Sequence, residues 1–397
     1  MAADRLHAQD SALNRFLQDP ARLLMIPGPG ELDDCALLLA GRQPHAHYGP
    51  RWASLHGQLL ADLGNLLGSP HVYVIPGSGS AALDAALFNL FEPGQQVVVP
   101  DTGYFGRRLL AMAATHGLRA KAVHVAPGQP ADPGLVARAA RGGAGVLMVH
   151  VETSTGVRHP IAEIARAAGD VGACCLVDGI ASVGGELLDV EAMGLAGAVT
   201  ASQKGLGAPP GLGIIALSTA GWERTYARSC RPPSWYFDLR NWDEARAESP
   251  DWEPHPVTMP SSLVLPLASR AQVLLGTGLG TVVAARYALA QACRAGLEEI
   301  GLRPVAGPEH QANLVVVAHA DRAPIELIQQ VQARSGIQIA TGLPPLADAI
   351  RVGLVGRNAR PVLVTRLLES VRAVLSERAV LSDRRGGIIP PRPTRYR

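Results

Sequence analysis

Two of the 36 basic residues in this 397-residue chain are lysines, Lys121 and Lys204. Lys204 lies in Thr200-Ala201-Ser202-Gln203-Lys204-Gly205, between an apolar run and a turn rich in glycine and proline. A primary amine is the side chain that can hold an aldehyde as a Schiff base. Three other segments could supply complementary chemistry. Pro76-Gly77-Ser78-Gly79-Ser80-Ala81-Ala82 turns through two glycines into a helix pattern, where free backbone N–H groups, hydroxyls and the helix dipole favour an anion. Val177-Asp178-Gly179-Ile180-Ala181-Ser182 places an acid at the end of an apolar run. Such a carboxylate either keeps a ring nitrogen protonated or caps a helix. His150-Val151-Glu152-Thr153-Ser154-Thr155-Gly156 ends a fourth run with several hydroxyls.

Positioning these groups requires elements that bring run ends together. Short β-branched runs at 71–76, 95–100, 145–151, 173–178, 196–202 and 212–217 suit a mostly parallel sheet, and helix patterns lie between several of them. The expectation is an α/β layer fold, in which ligands gather at the carboxyl ends of strands. From Thr219 to Met259 the pattern reads as irregular, and a loop that long implies a function or a crossing to a partner. A long helix over about 278–300, strand-like 312–319, a helix over 323–334, strand-like 350–356 and a helix over 361–378 predict a smaller C-terminal α/β domain. The division reads as an N-terminal arm 1–22, a large domain 23–265, a small domain 266–382 and a poorly ordered tail 383–397.

Composition narrows the classes. With 47% hydrophobic and 18% charged residues and a net charge of +2, the chain has neither the basic excess of a nucleic-acid binder nor a membrane span. The five cysteines form no CxxC pair and no ligand spacing, so no metal site is expected. Without an apolar signal core near its start, the chain is expected to be cytoplasmic.

The ordered set of phosphate turn, Glu-Thr-Ser-Thr-Gly, Asp-x-x-x-Ser-x-Gly-Gly and Ser-Gln-Lys-x-Leu-x-x-Pro-Pro-Gly resembles fold-type I pyridoxal phosphate enzymes of the class V aminotransferase group. Within that group it is most similar to the alanine–glyoxylate and serine–pyruvate aminotransferases. Pro27-Gly28-Pro29-Gly30 resembles the family's substrate loop and Pro233-Ser234-Trp235-Tyr236-Phe237-Asp238 its aromatic loop, so the likeness covers residues 22–380.

The resemblance implies a large domain with a mostly parallel seven-stranded sheet, pyridoxal 5'-phosphate as cofactor, and a homodimer with shared active sites. It also implies the residue roles. Lys204 would form the Schiff base and move the α-proton, Asp178 would face the ring nitrogen, and Ser78, Gly79, Ser80 and Gln203 would bind phosphate, joined by Thr258 of the other subunit. Thr153 would bond the ring oxygen, Phe105 and Ile180 would cover the two ring faces, and Arg351 would clamp the substrate carboxylate beside Pro27 and Gly28.

His255 replaces a tyrosine common three residues before the threonine. Glu31 and Asp33 either line the pocket or begin a helix. His45, His47, Tyr48 and Arg51 either reach the neighbouring site or lie on the surface. The reaction implied is transfer of the amine of a small L-amino acid, of alanine or serine type, to glyoxylate or another 2-oxo acid. A lyase, C–C bond or specialised amino-transfer reaction on a larger metabolite is the alternative. Phe105 at the stacking position argues against a desulfurase, and the intact Lys204, Asp178 and Arg351 argue against a non-catalytic binding module.

Overall fold

The computed structural model describes residues 23–320 and 324–386, with side chains as far as residue 377. In chain order the strands of the N-terminal part are β1 (Leu23–Leu24), β2 (His71–Pro76), β3 (Gln96–Asp101), β4 (Arg119–His124), β5 (Gly145–Val149), β6 (Val151–Glu152), β7 (Val157–Arg158), β8 (Cys174–Asp178), β9 (Gly197–Ala201) and β10 (Leu212–Leu217). Seven of them form one sheet in the order β2-β10-β9-β8-β5-β3-β4. Only β10 runs antiparallel to its neighbours. Helices cover both faces, which is why β5, β9 and β10 are buried at every residue and read as unbroken apolar runs.

The seventh strand, β4, at one edge of the sheet, escaped the sequence reading because it is largely exposed and carries no apolar run. Arg119, Lys121 and His124 are exposed along it, and charge on an edge strand blocks pairing with other chains.

Helices form where caps and apolar spacing coincide. In Ile161–Gly169 the buried residues are Ile161, Ile164, Ala165 and Ala168, one face of a 3.6-residue repeat. The stretch from 219 to 259, expected from its pattern to be irregular, is helical in part. It contains helices Thr219–Tyr226 and Leu239–Glu248, capped by Ser218, whose Oγ accepts the Gly221 N–H at 3.0 Å, and by Asp238, whose Oδ1 accepts the Arg240 N–H at 3.1 Å. Both helices bury few residues, so their apolar period is weak. Two long helices follow, Ser261–Thr277, absent from the sequence reading, and Leu279–Glu299. No single helix among the described residues is long and apolar enough to cross a membrane.

The C-terminal part adds β11 (Val315–His319), β12 (Ile337–Gln338), β13 (Ala340–Thr341) and β14 (Ala349–Gly353), with an antiparallel sheet ordered β11-β14-β13. Its core, built on Leu289, Cys293, Val316, Ile350 and Leu367, also takes in Met25, because β1 pairs in parallel with β12. The first core extends along the chain as far as Leu274. The last helix runs Pro361–Gly386 and so enters the segment expected to be a loose tail from Asp383. The expected arm at 1–22 and the remainder of the tail, 387–397, lie outside the described residues.

Candidate active site

Five connections leave the sheet at the same edge, the carboxyl ends of β2, β3, β5, β8 and β9. They enclose a cavity of about 260 Å³ lined by Ser78, Gly79, Ser80, Phe105, Thr153, Asp178, Ile180, Gln203 and Lys204 together with Arg108. A larger open groove of about 900 Å³ past Gly64, Asp189 and Arg246 contains none of these motifs.

Lys204 follows β9 in a turn closed by the Gly207 N–H on the Lys204 carbonyl oxygen at 3.0 Å. Its Nζ donates to the Pro27 carbonyl oxygen at 2.6 Å. Burial first, and then the nearby Arg351 guanidinium, lower the amine's pKa to about 8, with Asp178 opposing both. A lysine so perturbed is partly neutral, hence nucleophilic, near physiological pH.

Asp178 ends β8, and its Oδ1 accepts the Ile180 N–H at 2.9 Å. Burial, against the Ile180 N–H and with Glu152 adding to the rise, pushes its carboxyl up to about 6, and Arg108 and Lys204 also oppose the rise. A buried anion of this kind has a place for a cationic N–H.

Gly79, first residue of helix Gly79–Leu90, is buried, and a Cβ there would stand 2.6 Å from Ile180 Cδ1. Ser78 caps the same helix, its Oγ accepting the Ala81 N–H at 3.4 Å.

Glu152 was quoted in the sequence only as a neighbour of hydroxyls, yet it organises one wall. Fully buried, its Oε2 accepts from Thr102 Oγ1 at 3.2 Å and from the N–H groups of Phe105 and Gly106 at 3.0 and 3.1 Å. Its Oε1 accepts from the Ser154 N–H and Oγ at 3.1 and 2.6 Å. It thereby fixes the start of helix Tyr104–Thr115 and the ring of Phe105. An acid flanked by Val151 and Thr153 in an apolar context was the available signal. Arg108 was also missed, although it stands three residues after Phe105 on the same helical face.

Other expected residues sit outside the cavity wall. Pro27 and Gly28 touch Lys204 itself, and a Cβ on Gly28, whose φ is +108°, would lie 2.7 Å from Lys204 Nζ. Arg351 is on β14 and donates through Nε to the Thr341 carbonyl oxygen at 2.7 Å. Thr258 is exposed. His255 is buried, and its Nε2 accepts the Trp52 indole N–H at 2.8 Å. Glu31 and Asp33 prove to be framework residues. Glu31 Oε1 accepts the Leu24 N–H at 2.8 Å, while Asp33 caps helix Asp34–Ala40 and pairs with Arg270. His47 lies 3.6 Å from Glu253, Tyr48 stacks on Trp252, and none of the residues from His45 to Arg51 lines this chain's cavity.

A strand-end lysine facing a buried aspartate beside a glycine-rich helix start defines an enzyme that holds an aldehyde cofactor at the sheet edge. The comparisons with known proteins agree. The aminotransferase class-V family model matches residues 56–352. The alanine–glyoxylate aminotransferase of Oryctolagus cuniculus is 30% identical over 380 residues, covering 93% of this chain and 96% of that protein. Two solved structures superpose at 26% identity. An alanine–glyoxylate aminotransferase from Nostoc sp. gives a TM-score of 0.86 over 94% of this chain and 99% of that one. The ureidoglycine–glyoxylate aminotransferase of Bacillus subtilis gives 0.84 over 90% and 94%.

The chain belongs to the class V aminotransferases. It is a pyridoxal-phosphate-dependent transaminase acting on amino acids and 2-oxo acids. The cavity fits that cofactor: the buried Gln203 Oε1 has no hydrogen-bond partner, and the hydroxyls of Ser78 and Ser80 line the same space as Lys204 and Asp178.

Proposed function

We propose that this enzyme moves the amine of a small L-amino acid, of alanine or serine type, to glyoxylate or another small 2-oxo acid. The observation that carries the reading is electrostatic: Lys204 feels the Asp178 carboxylate and the Arg351 guanidinium at once. A cofactor ring nitrogen needs the first, and an amino acid carboxylate needs the second. Near-complete coverage by glyoxylate aminotransferases supports the choice of acceptor.

When bound, the cofactor supplies the electron sink for the bond broken at the α-carbon. The chain supplies the rest. Lys204, in its neutral form, takes the α-proton and returns it. Asp178 would keep the ring nitrogen protonated. Ser78, Gly79, Ser80 and Gln203 would hold the phosphate, Thr153 would bond the ring oxygen, and Phe105 and Ile180 would exclude water from the two faces. Arg351 orients the substrate carboxylate bidentately, with Pro27 and Gly28 closing the pocket above the lysine.

A homodimer completes the proposal. Thr258 and the exposed Leu37, Leu38, Tyr48 and Trp252 suit a subunit contact that brings the threonine to the neighbouring phosphate site. The large part ends within the helix pair spanning Ser261–Glu299, and the location is cytoplasmic.

The test is a half-reaction. Purified enzyme is mixed anaerobically with L-alanine, L-serine and other amino acids without acceptor, and cofactor absorbance is followed. Conversion to the aminated form, reversed by glyoxylate, is expected. Product formed without aminated cofactor would overturn the proposal.

A further inference from the structure

We propose that Arg108 is a ligand of the cofactor phosphate, supplying from within the same chain the positive charge of the phosphate cradle. The proposal rests on the assignment of pyridoxal phosphate to this cavity. A phosphate monoester carries between one and a half and two negative charges near neutrality, and a helix N-terminus offsets about half a charge. The other groups at the turn, the hydroxyls and amides of Ser78, Gly79 and Ser80, are neutral. Among the described residues lining the cavity the cations are Lys204 and Arg108, and the Lys204 amine is held by the Pro27 carbonyl oxygen.

Geometry separates Arg108 from its neighbour. Arg107 turns to Asp101, with Nε 3.1 Å from Oδ1. Arg108, three residues beyond Phe105, instead reaches across the cavity rim to the first turn of helix Gly79–Leu90, where its guanidinium donates to Ser80 Oγ. It makes no ion pair with a carboxylate among the described residues. A guanidinium presented at the first turn of an anion-binding helix, with donors to spare, is matched to a phosphate oxygen.

The experiment compares two ligands that differ only in the phosphate. Apoenzyme of the native sequence, Arg108→Gln and Arg108→Lys is titrated with pyridoxal phosphate and with pyridoxal, following tryptophan fluorescence. Arg108→Gln is expected to weaken pyridoxal phosphate about 10- to 100-fold while changing pyridoxal less than about 3-fold. Arg108→Lys should recover part of the loss. Inorganic phosphate should compete with the cofactor in the native protein and less in Arg108→Gln.

Equal losses for both ligands would make Arg108 a structural residue. Unchanged cofactor affinity with a raised KM for a dicarboxylic amino acid would make it a substrate clamp. Either result overturns the proposal. Failure of the native apoenzyme to bind pyridoxal phosphate would instead remove the cofactor assignment.

Discussion

Lys204 Nζ and the Pro27 carbonyl oxygen are 2.6 Å apart, although 177 residues separate them in the chain. The contact is possible because Gly28 has no side chain. A Cβ there would meet Lys204 Cδ, Nζ and Cε at 2.6, 2.7 and 2.9 Å, and φ of +108° disfavours any L-residue. Gly28→Ala should lower kcat/KM by about 100-fold or more while Tm falls only a few degrees, since the lysine loses its place and the cores do not. Near-native kcat/KM would show that the lysine does not depend on this approach.

The chain carries its own control for amine reactivity. With its pKa near 8, Lys204 is roughly one quarter neutral at pH 7.5, against about 0.1% for an amine left at 10.5. Lys121 is exposed on the edge strand. Cyanate labelling of apoenzyme, mapped by peptide mass, should modify Lys204 with a midpoint near pH 8. Arg351→Leu should raise that midpoint, because the guanidinium's repulsion is removed. A midpoint unchanged by the substitution would separate Arg351 from the lysine's electrostatics.

Asp178 ties stability to pH with an uncommon sign. Its carboxyl is raised from 3.8 to about 6, so the folded apoenzyme binds its proton more tightly than the unfolded chain does. Stability from this group therefore falls as pH rises from 4 to 6, by about 3 kcal/mol at most, and stays lost above. Glu186, raised to about 7, acts in the same direction. Comparing native apoenzyme with Asp178→Asn isolates Asp178. Urea unfolding should show the variant more stable at pH 8, by about 1–3 kcal/mol, and the gain should vanish near pH 4. The same variant should lose most transaminase activity. A gain that is equal at both pH values would contradict the assignment.

Glu152 should behave as a hub. Removing it leaves two helix N–H groups and the Ser154 N–H without their acceptor, so Glu152→Ala is expected to cost about 2–4 kcal/mol in urea unfolding. The loosened Phe105 should also weaken cofactor affinity. A stable variant with native cofactor binding would refute this.

The motifs at the carboxyl ends of β2, β5, β8 and β9 were legible because residues that touch one ligand cluster at strand ends and keep their local signature. The edge strand β4 was not, since only Ala120 and Val123 pack against the core and the exposed Arg119, Lys121 and His124 break any apolar run. Ser218 and Asp238 were readable cap signals for the two helices after β10, but the short buried faces behind them gave no period. Glu152 shows a harder limit. Its partners at Thr102, Phe105 and Gly106 lie 46 to 50 residues upstream, and only the register of β3 beside β5 brings them together.

The strand preceding Pro27 has a mechanical meaning. The Leu23 and Met25 N–H groups donate to the Gly336 and Gln338 carbonyl oxygens at 2.9 and 2.8 Å, Met25 is embedded in the C-terminal core, and the Gly353 N–H, two residues beyond Arg351, bonds the Met25 carbonyl oxygen at 2.7 Å. Two residues after Met25 the same segment holds the Lys204 amine through the Pro27 carbonyl oxygen. Arg351, proposed to hold the substrate carboxylate, and Lys204, proposed to move the proton, are thus spliced to a single short tether. Peeling that tether away would desynchronise the grip on the substrate from the chemistry beneath it, without altering a single residue of the main sheet.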